Sequence, residues 1–184
     1  SDTDPESGLF HKGEHKEVFA YSVQTSCDKN GWILNYKAYP GNLHDSTTFF
    51  DFYQSKVKQT KPEKLVMDAG YKIPAIAKML IEDKIMPVLP YTRPKGQNKN
   101  GQMYPKREYV YDEYEDYYIC PENKGLEYST TDKDGYRHYK SNKKECVKCK
   151  KLRNCTTNKQ NQKTITRHIW QDYIDICEEY RYTY

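Results

Sequence analysis

Two groups of residues in this sequence have the types and spacing to do chemistry. The first is Asp68, in the stretch KLVMDAGYK at residues 64–72. Leu65, Val66 and Met67 form a short apolar run, Asp68 ends it, and Ala69-Gly70-Tyr71 turns away. A carboxylate at the end of a buried strand can point into the crevice at a sheet edge and offer oxygen to a hard divalent cation. The same position also suits a helix N-cap or a surface turn. A single acid cannot hold the two cations, about 4 Å apart, that two-metal phosphoryl chemistry uses. Asp68 therefore needs partners.

The second group is cysteine. Cys120 is followed by CVKCKKLRNC, which places Cys146, Cys149 and Cys155 within ten residues. A CxxC pair puts two thiolates on one tight turn, and Cys120 and Cys155 could complete a tetrahedron around Zn²⁺. With no open coordination position such a site would be structural. The interleaved Lys148, Lys150, Lys151 and Arg153 would lower the thiol pKa values and offset the charge of four thiolates. The alternative is a set of unligated thiols in a loop. Cys27 and Cys177 read as small buried apolar residues.

The elements that must position these groups follow from pattern. Residues 1–16 are polar and read as a loop. EVFAYSVQTSCD (17–28) and WILNYKAYP (32–40) read as strands joined by an Asn-Gly turn. Asp45 or Ser46 can cap a helix over about 46–60, ended by Pro62. KLVMD (64–68) reads as a strand buried on both faces. PAIAKMLIED (74–83) reads as a helix opened by proline, and MPVLPY (86–91) as a strand. The order β-β-α-β-α-β predicts a mixed α/β sheet, antiparallel at its start and parallel later. Beyond residue 91 the pattern changes. RPKGQNKNGQMYPKR is a basic loop, YVYDEYEDYYIC (109–120) reads as one strand, GYRHYKS (135–141) as another, and TITRHIWQDYIDICEEYRY as strand to helix.

Composition narrows the class. Only 36% of the 184 residues are hydrophobic, and 19 are tyrosine, so much of the apolar surface carries a polar tip, and a modest core with a polar, aromatic-studded surface is expected. The net charge of +4 is compatible with nucleic acid and equally with an ordinary solvated surface. Arg93, Lys95, Lys106 and Arg107 on the basic loop, and Lys148, Lys150, Lys151 and Arg153 around the cysteines, are the candidate phosphate contacts. No apolar run has membrane-spanning length, and residues 1–20 lack a signal-peptide core. A cytoplasmic location is expected, and with it thiols or metal ligands before disulfides.

The ordered set TDPESGLFHKGEHKEVFAYSVQTSCDKNG, PGNLHDS, VMDAGYK, MPVLPYTRPKG, the cysteine cluster and TRHIWQDY resembles one bacterial insertion-sequence transposase family of the DDE class, over essentially the whole chain. The resemblance implies an RNase H-like core, incomplete here, with flanking helices and a Cys-rich β insertion, which the cysteine spacing above suggests is zinc-bound. It implies DNA cleavage and strand transfer with Mg²⁺ or Mn²⁺ held by three acids, of which Asp68 matches the second. It further implies double-stranded DNA as partner (transposon ends and target), a homo-oligomeric complete enzyme, and a nucleoid-associated location. The family's first acid lies on a strand before TDPES and its third, a Glu, on a helix beyond residue 184. Asp4 precedes Pro5 outside any strand pattern, and Glu178 and Glu179 fall short of the family's Glu word. On that basis residues 1–91 are expected to be a partial catalytic core, 92–165 the basic loop and insertion, and 166–184 the start of the C-terminal helical part. The chain is then the middle of a longer enzyme, inactive alone. A non-catalytic zinc-stabilised DNA-binding module and a decayed remnant are the alternatives.

Overall fold

Gly31 shows how the opening hairpin is made. It takes φ +86°, a left-handed conformation that costs glycine little. The Asp28 carboxylate accepts from the backbone N–H of Asn30 and of Trp32, both at 2.9 Å. This turn joins β2 (Glu17–Cys27) to β3 (Ile33–Pro40), antiparallel in the register Tyr21↔Pro40 to Ser26↔Asn35. The computed structural model describes residues 3–11, 17–92 and 103–183. They fall into two compact units, Ser1–Thr92 with Asp172–Tyr184, and Arg93–Gln171.

In the first unit a short strand, β1 (Gly8–His11), lies in the segment expected to be loop. It pairs with the first four residues of β2, Gly8↔Ala20 to His11↔Glu17. β3 reaches β2 only from Tyr21 onward, so the start of β2 is left for β1. Cys27, expected to be buried, is exposed at the end of β2. The β2–β3 register shifts beside it, and a shift of one residue sends a side chain to the other face.

Helix α1 (Asp45–Phe52) is capped by neither expected residue. The cap is His44, whose Nδ1 accepts from the Ser46 N–H at 3.2 Å. The helix continues through a π-helical turn at Tyr53–Val57 and a 3₁₀ turn at Lys58–Thr60, and ends at Lys61 with φ 45°. Phe49, Phe52, Tyr53 and Val57 bury against Ile76 and Leu80 of α2 (Pro74–Glu82). β4 (Lys64–Val66) and β5 (Met86–Val88) pair in parallel across α2.

Two expectations fail at β4. It does not join the hairpin in one mixed sheet, because β1-β2-β3 and β4-β5 are separate sheets. Nor is it buried on both faces, since Val66 is 80% exposed. A strand in a two-stranded pair packs only one face, here that of Leu65, on the helices. The C-terminal α5 (Gln171–Thr183) adds Cys177, buried beside Ala77 and Leu89.

The second unit is a five-stranded antiparallel sheet in the order β10-β9-β8-β7-β6. Its strands are β6 (Val110–Asp112), β7 (Tyr117–Ile119), β8 (Gly125–Thr131), β9 (Tyr136–Ser141) and β10 (Thr164–His168). The segment read as one strand over 109–120 is a hairpin. Asp112 Oδ1 accepts from the N–H of Tyr114 and Glu115, and Asp116 takes φ 52°. The core is Tyr109, Tyr118, Leu126, Tyr139 and Ile165. Asp116 accepts from the hydroxyls of Tyr111 at 2.7 Å and Tyr139 at 2.5 Å. Burial pushes the Asp116 carboxyl up, but these hydroxyls with Arg137 and Arg167 hold it below the usual carboxylate range. Two short helices, α3 (Lys143–Val147) and α4 (Leu152–Cys155), lie between β9 and β10. Among the described residues no helix is long and apolar enough to cross a membrane.

Candidate active site

Asp68 follows β4 by two residues and caps the 3₁₀ turn Ala69–Tyr71, accepting from the Gly70 N–H at 2.7 Å. The cap reading is thus realised, with one oxygen tied to the turn and the residue as a whole exposed. A second acid approaches it. A Cβ on Gly70 would stand 3.0 Å from Asp68 Oδ1 and 4.0 Å from Asp45 Oδ2, so a side chain there would crowd the Asp68 carboxylate and stand near that of Asp45. The Tyr71 hydroxyl registers both acids. Burial raises its pKa to about 12, and the charges of Asp45 and Asp68 add to the rise. Sequence alone makes Asp45 a helix cap. With His44 capping instead, its carboxylate lies within 3.5 Å of the Ser22 hydroxyl. The signal was the HDS word itself, where either of two neighbouring side chains could cap.

These acids fit a hard cation in donor type. Their number falls short: among the described residues no group of three or more His, Cys, Asp and Glu side chains is placed to hold a metal ion. Glu178 on α5 is engaged elsewhere. Burial pushes its carboxyl up, but Lys72 and Arg181, both ion-paired to it, bring it below its ordinary value.

Beside Asp68 lies an open groove of about 510 Å³. Gln24 to Asp28 of β2 and its turn line one side, Lys64 to Asp68 another, and Phe49, Phe52 and Val57 supply apolar lining. β2 and β4 are not paired with each other. Gln24 is buried and donates its amide to the Asp45 carbonyl at 2.9 Å, yet its Oε1 has no hydrogen-bond partner. A buried acceptor without a partner is uncommon in a folded chain.

The remaining candidates fall in the second unit. Cys120, Cys146, Cys149 and Cys155 all line one small cavity of about 30 Å³. The expected lowering of thiol pKa does not hold for Cys155. Burial raises it, and the Tyr109 hydroxyl and Lys163 only partly oppose the rise. Lys148, Lys150, Lys151 and Arg153 are exposed around this cavity. Lys106 donates to the Thr166 carbonyl at 2.7 Å, and Arg107 lies 3.9 Å from Glu108. Arg93 and Lys95 lie outside the described residues.

A family model described as Transposase DDE domain matches residues 3–172. That match covers most of the chain, which belongs to this family of DDE transposases. Comparison with curated proteins and with solved structures returned no match. The mixed α/β architecture is consistent with the RNase H-like form of such domains. The family places the chain in DNA transposition, a chemistry that uses divalent metal ions.

Proposed function

We propose that this chain is the middle of a DDE catalytic core, with Asp68 as the second metal-binding acid. In this reading the groove between β2 and β4 receives a further strand that carries the first acid, and a helix beyond the chain carries the third. The groove is the observation that carries the reading. It has strands on two sides that do not pair with each other, aromatic lining from α1, an orphaned acceptor at Gln24, and Asp68 at its end. An added strand would satisfy exposed backbone groups along such edges. It would also bring its own acid beside Asp68.

Asp68 would then be one ligand of a Mg²⁺ or Mn²⁺ ion. When bound, two such ions supply Lewis-acid stabilisation of the attacking and leaving oxygens of a DNA phosphodiester. The chain's own contribution is positional. The Gly70 N–H orients the Asp68 carboxylate, and the absence of a Cβ at Gly70 keeps the approach open. Residues 1–91 and 166–184 would belong to this core and 92–165 to an insertion. The exposed Lys148, Lys150, Lys151 and Arg153, with Lys106 and Arg107, and with Arg93 and Lys95, would neutralise DNA phosphates. Replacing any one of these cations with alanine should reduce the salt slope of DNA binding by roughly one.

The test compares two proteins on DNA with Mn²⁺. The 184-residue chain should not cleave. A chain extended in both directions to include the upstream strand and the downstream helix should cleave, and Asp68→Asn should lower its rate at least about a hundredfold, the upper range for loss of even a supporting group at a metal site. Cleavage by the 184-residue chain that persists in Asp68→Asn would refute the assignment.

A further inference from the structure

We propose that Cys120, Cys146, Cys149 and Cys155 bind one structural Zn²⁺ in the cavity they line. This does not depend on the catalytic reading, because every residue involved belongs to the unit 93–171.

Four of the six cysteines converge on one cavity, although they come from the β7–β8 turn, from α3 and the turn after it, and from the end of α4. Cys27 and Cys177 lie elsewhere, in the unit that holds Asp68. The cavity, about 30 Å³, is the size class that holds one or two water-sized occupants. Leu126, Leu152 and Pro121 supply apolar lining between the thiols, with Glu122, Glu145 and three lysines also on its wall.

The surroundings also suit thiolates. The Lys124 N–H points at Cys120 Sγ at 3.3 Å, inside a tight turn closed by Asn123 N–H to the Cys120 carbonyl at 2.8 Å. Such N–H···S contacts orient and tune a metal-binding sulfur. Cys149 N–H donates to the Cys146 carbonyl at 3.0 Å, which fixes the CxxC turn. Lys124, Lys151 and Lys163 line the cavity together with Glu122 and Glu145, a net charge of about one positive that would offset part of the two negative charges left on a Zn²⁺ with four thiolates.

The end of α4 is tied down by the Tyr104 N–H to the Asn154 carbonyl at 2.7 Å and by Lys163 to the Cys155 carbonyl at 3.0 Å, whereas α3 and the turn after it are held more weakly. α3 has five residues and α4 four, and neither contains a buried residue. Helices this short do not hold themselves in water. Asn142 caps α3 by accepting from the Lys144 N–H at 3.0 Å, but a cap adds about 1 kcal/mol. A cross-link through one ion would tie both helices to the β7–β8 turn, and for structural zinc that binding free energy is folding free energy.

The four sulfurs are not gathered at ligand spacing, and two of them face hydroxyl groups. Cys146 Sγ contacts the Ser141 hydroxyl at 3.1 Å, and Cys155 Sγ the Tyr109 hydroxyl at 3.0 Å. Metal capture exchanges these two weak contacts for Zn–S bonds of about 2.3 Å through side-chain rotation. Four Zn–S bonds form, up to four thiol protons leave to solvent, and no electron is transferred.

The experiment is metal analysis of the full chain purified in reducing, chelator-free buffer, followed by replacement with Co²⁺. The expected result is one zinc per chain, and a Co²⁺ spectrum with thiolate charge-transfer bands and the strong visible bands of tetrahedral coordination. Cys146→Ser and Cys149→Ser should each weaken zinc binding at least about a hundredfold, whereas Cys27→Ser should not. If a serine variant fails to fold, the wild-type cobalt spectrum decides alone. Any of three results would overturn the proposal. These are a chain free of zinc that still protects the amides of 142–163, an octahedral cobalt spectrum, and a disulfide among these four cysteines in the same buffer.

Discussion

Tyr139, at the centre of the unit 93–171, is fully buried with its hydroxyl on Asp116, while Val23, midway along β2 in the other unit, is 57% exposed. The contrast extends to their surroundings. Around Tyr139 the rings of Tyr111, Tyr118 and Tyr128 stand at 5.1–6.1 Å, edge to face, a favourable arrangement for aromatic pairs. Around Val23 the hairpin leaves Phe19, Tyr21, Trp32, Ile33 and Tyr36 exposed. One unit closes its core with tyrosine and its own carboxylate. The other keeps two sheets apart with a groove between two of their strands. On the proposed reading the first is an insertion, which has to hold together by itself, and the second a catalytic core that leaves surface for further chain segments.

The largest test of this contrast is Leu126→Ala. Leu126 is wholly buried in the tyrosine core, and its truncation should cost about 2–5 kcal/mol. Hydrogen exchange should then speed up in β7, β8 and β9 and stay unchanged in β4 and β5. Equal acceleration in both units would show that they unfold as one and break the comparison.

A smaller effect should follow from Asp116→Asn, which removes the charged acceptor of two tyrosine hydroxyls. About 1–2 kcal/mol is expected for such hydrogen bonds after allowance for partial exposure. The native Asp116 carboxyl sits below its ordinary value, so its contribution is present above the unfolded pKa of about 4. It is lost as pH falls through the lower native value. Urea unfolding at pH 7 should therefore separate wild type from variant, and at strongly acid pH the two curves should converge. A gap that persists there would assign the effect to packing.

The smallest effect should come from Val23→Thr. On an exposed face it should change stability by no more than about 0.5 kcal/mol, read from the same urea curves. A larger loss would mean that the hairpin face is covered in solution.

The Asn-Gly hairpin, the proline-opened α2 and the strand before Asp68 were legible because each depends on neighbouring residues. Other features were not. β1 exists only because β3 leaves the first residues of β2 without a partner. The 109–120 hairpin hid because Asp112 and Asp116 make a turn inside an otherwise strand-like run. His44 took the cap from Asp45, a contest between adjacent side chains that spacing does not decide. Val66 looks like a core residue in sequence and is exposed, because burial depends on what packs over a strand.

By itself, then, the sequence determined the local chemistry. It named Asp68 as a strand-end acid and marked the CxxC turn as a local unit. Periodicity, turn residues and ligand spacing act over a few positions and can be read along the chain. Only the tertiary structure decided that Asp45 comes to Asp68, 23 positions further along the chain, that an open groove lies beside them, and that Cys120 lines the same cavity as the CxxC cysteines. Such meetings depend on how whole elements pack. Packing energy is spread over many weak contacts, and no short stretch of residues encodes it.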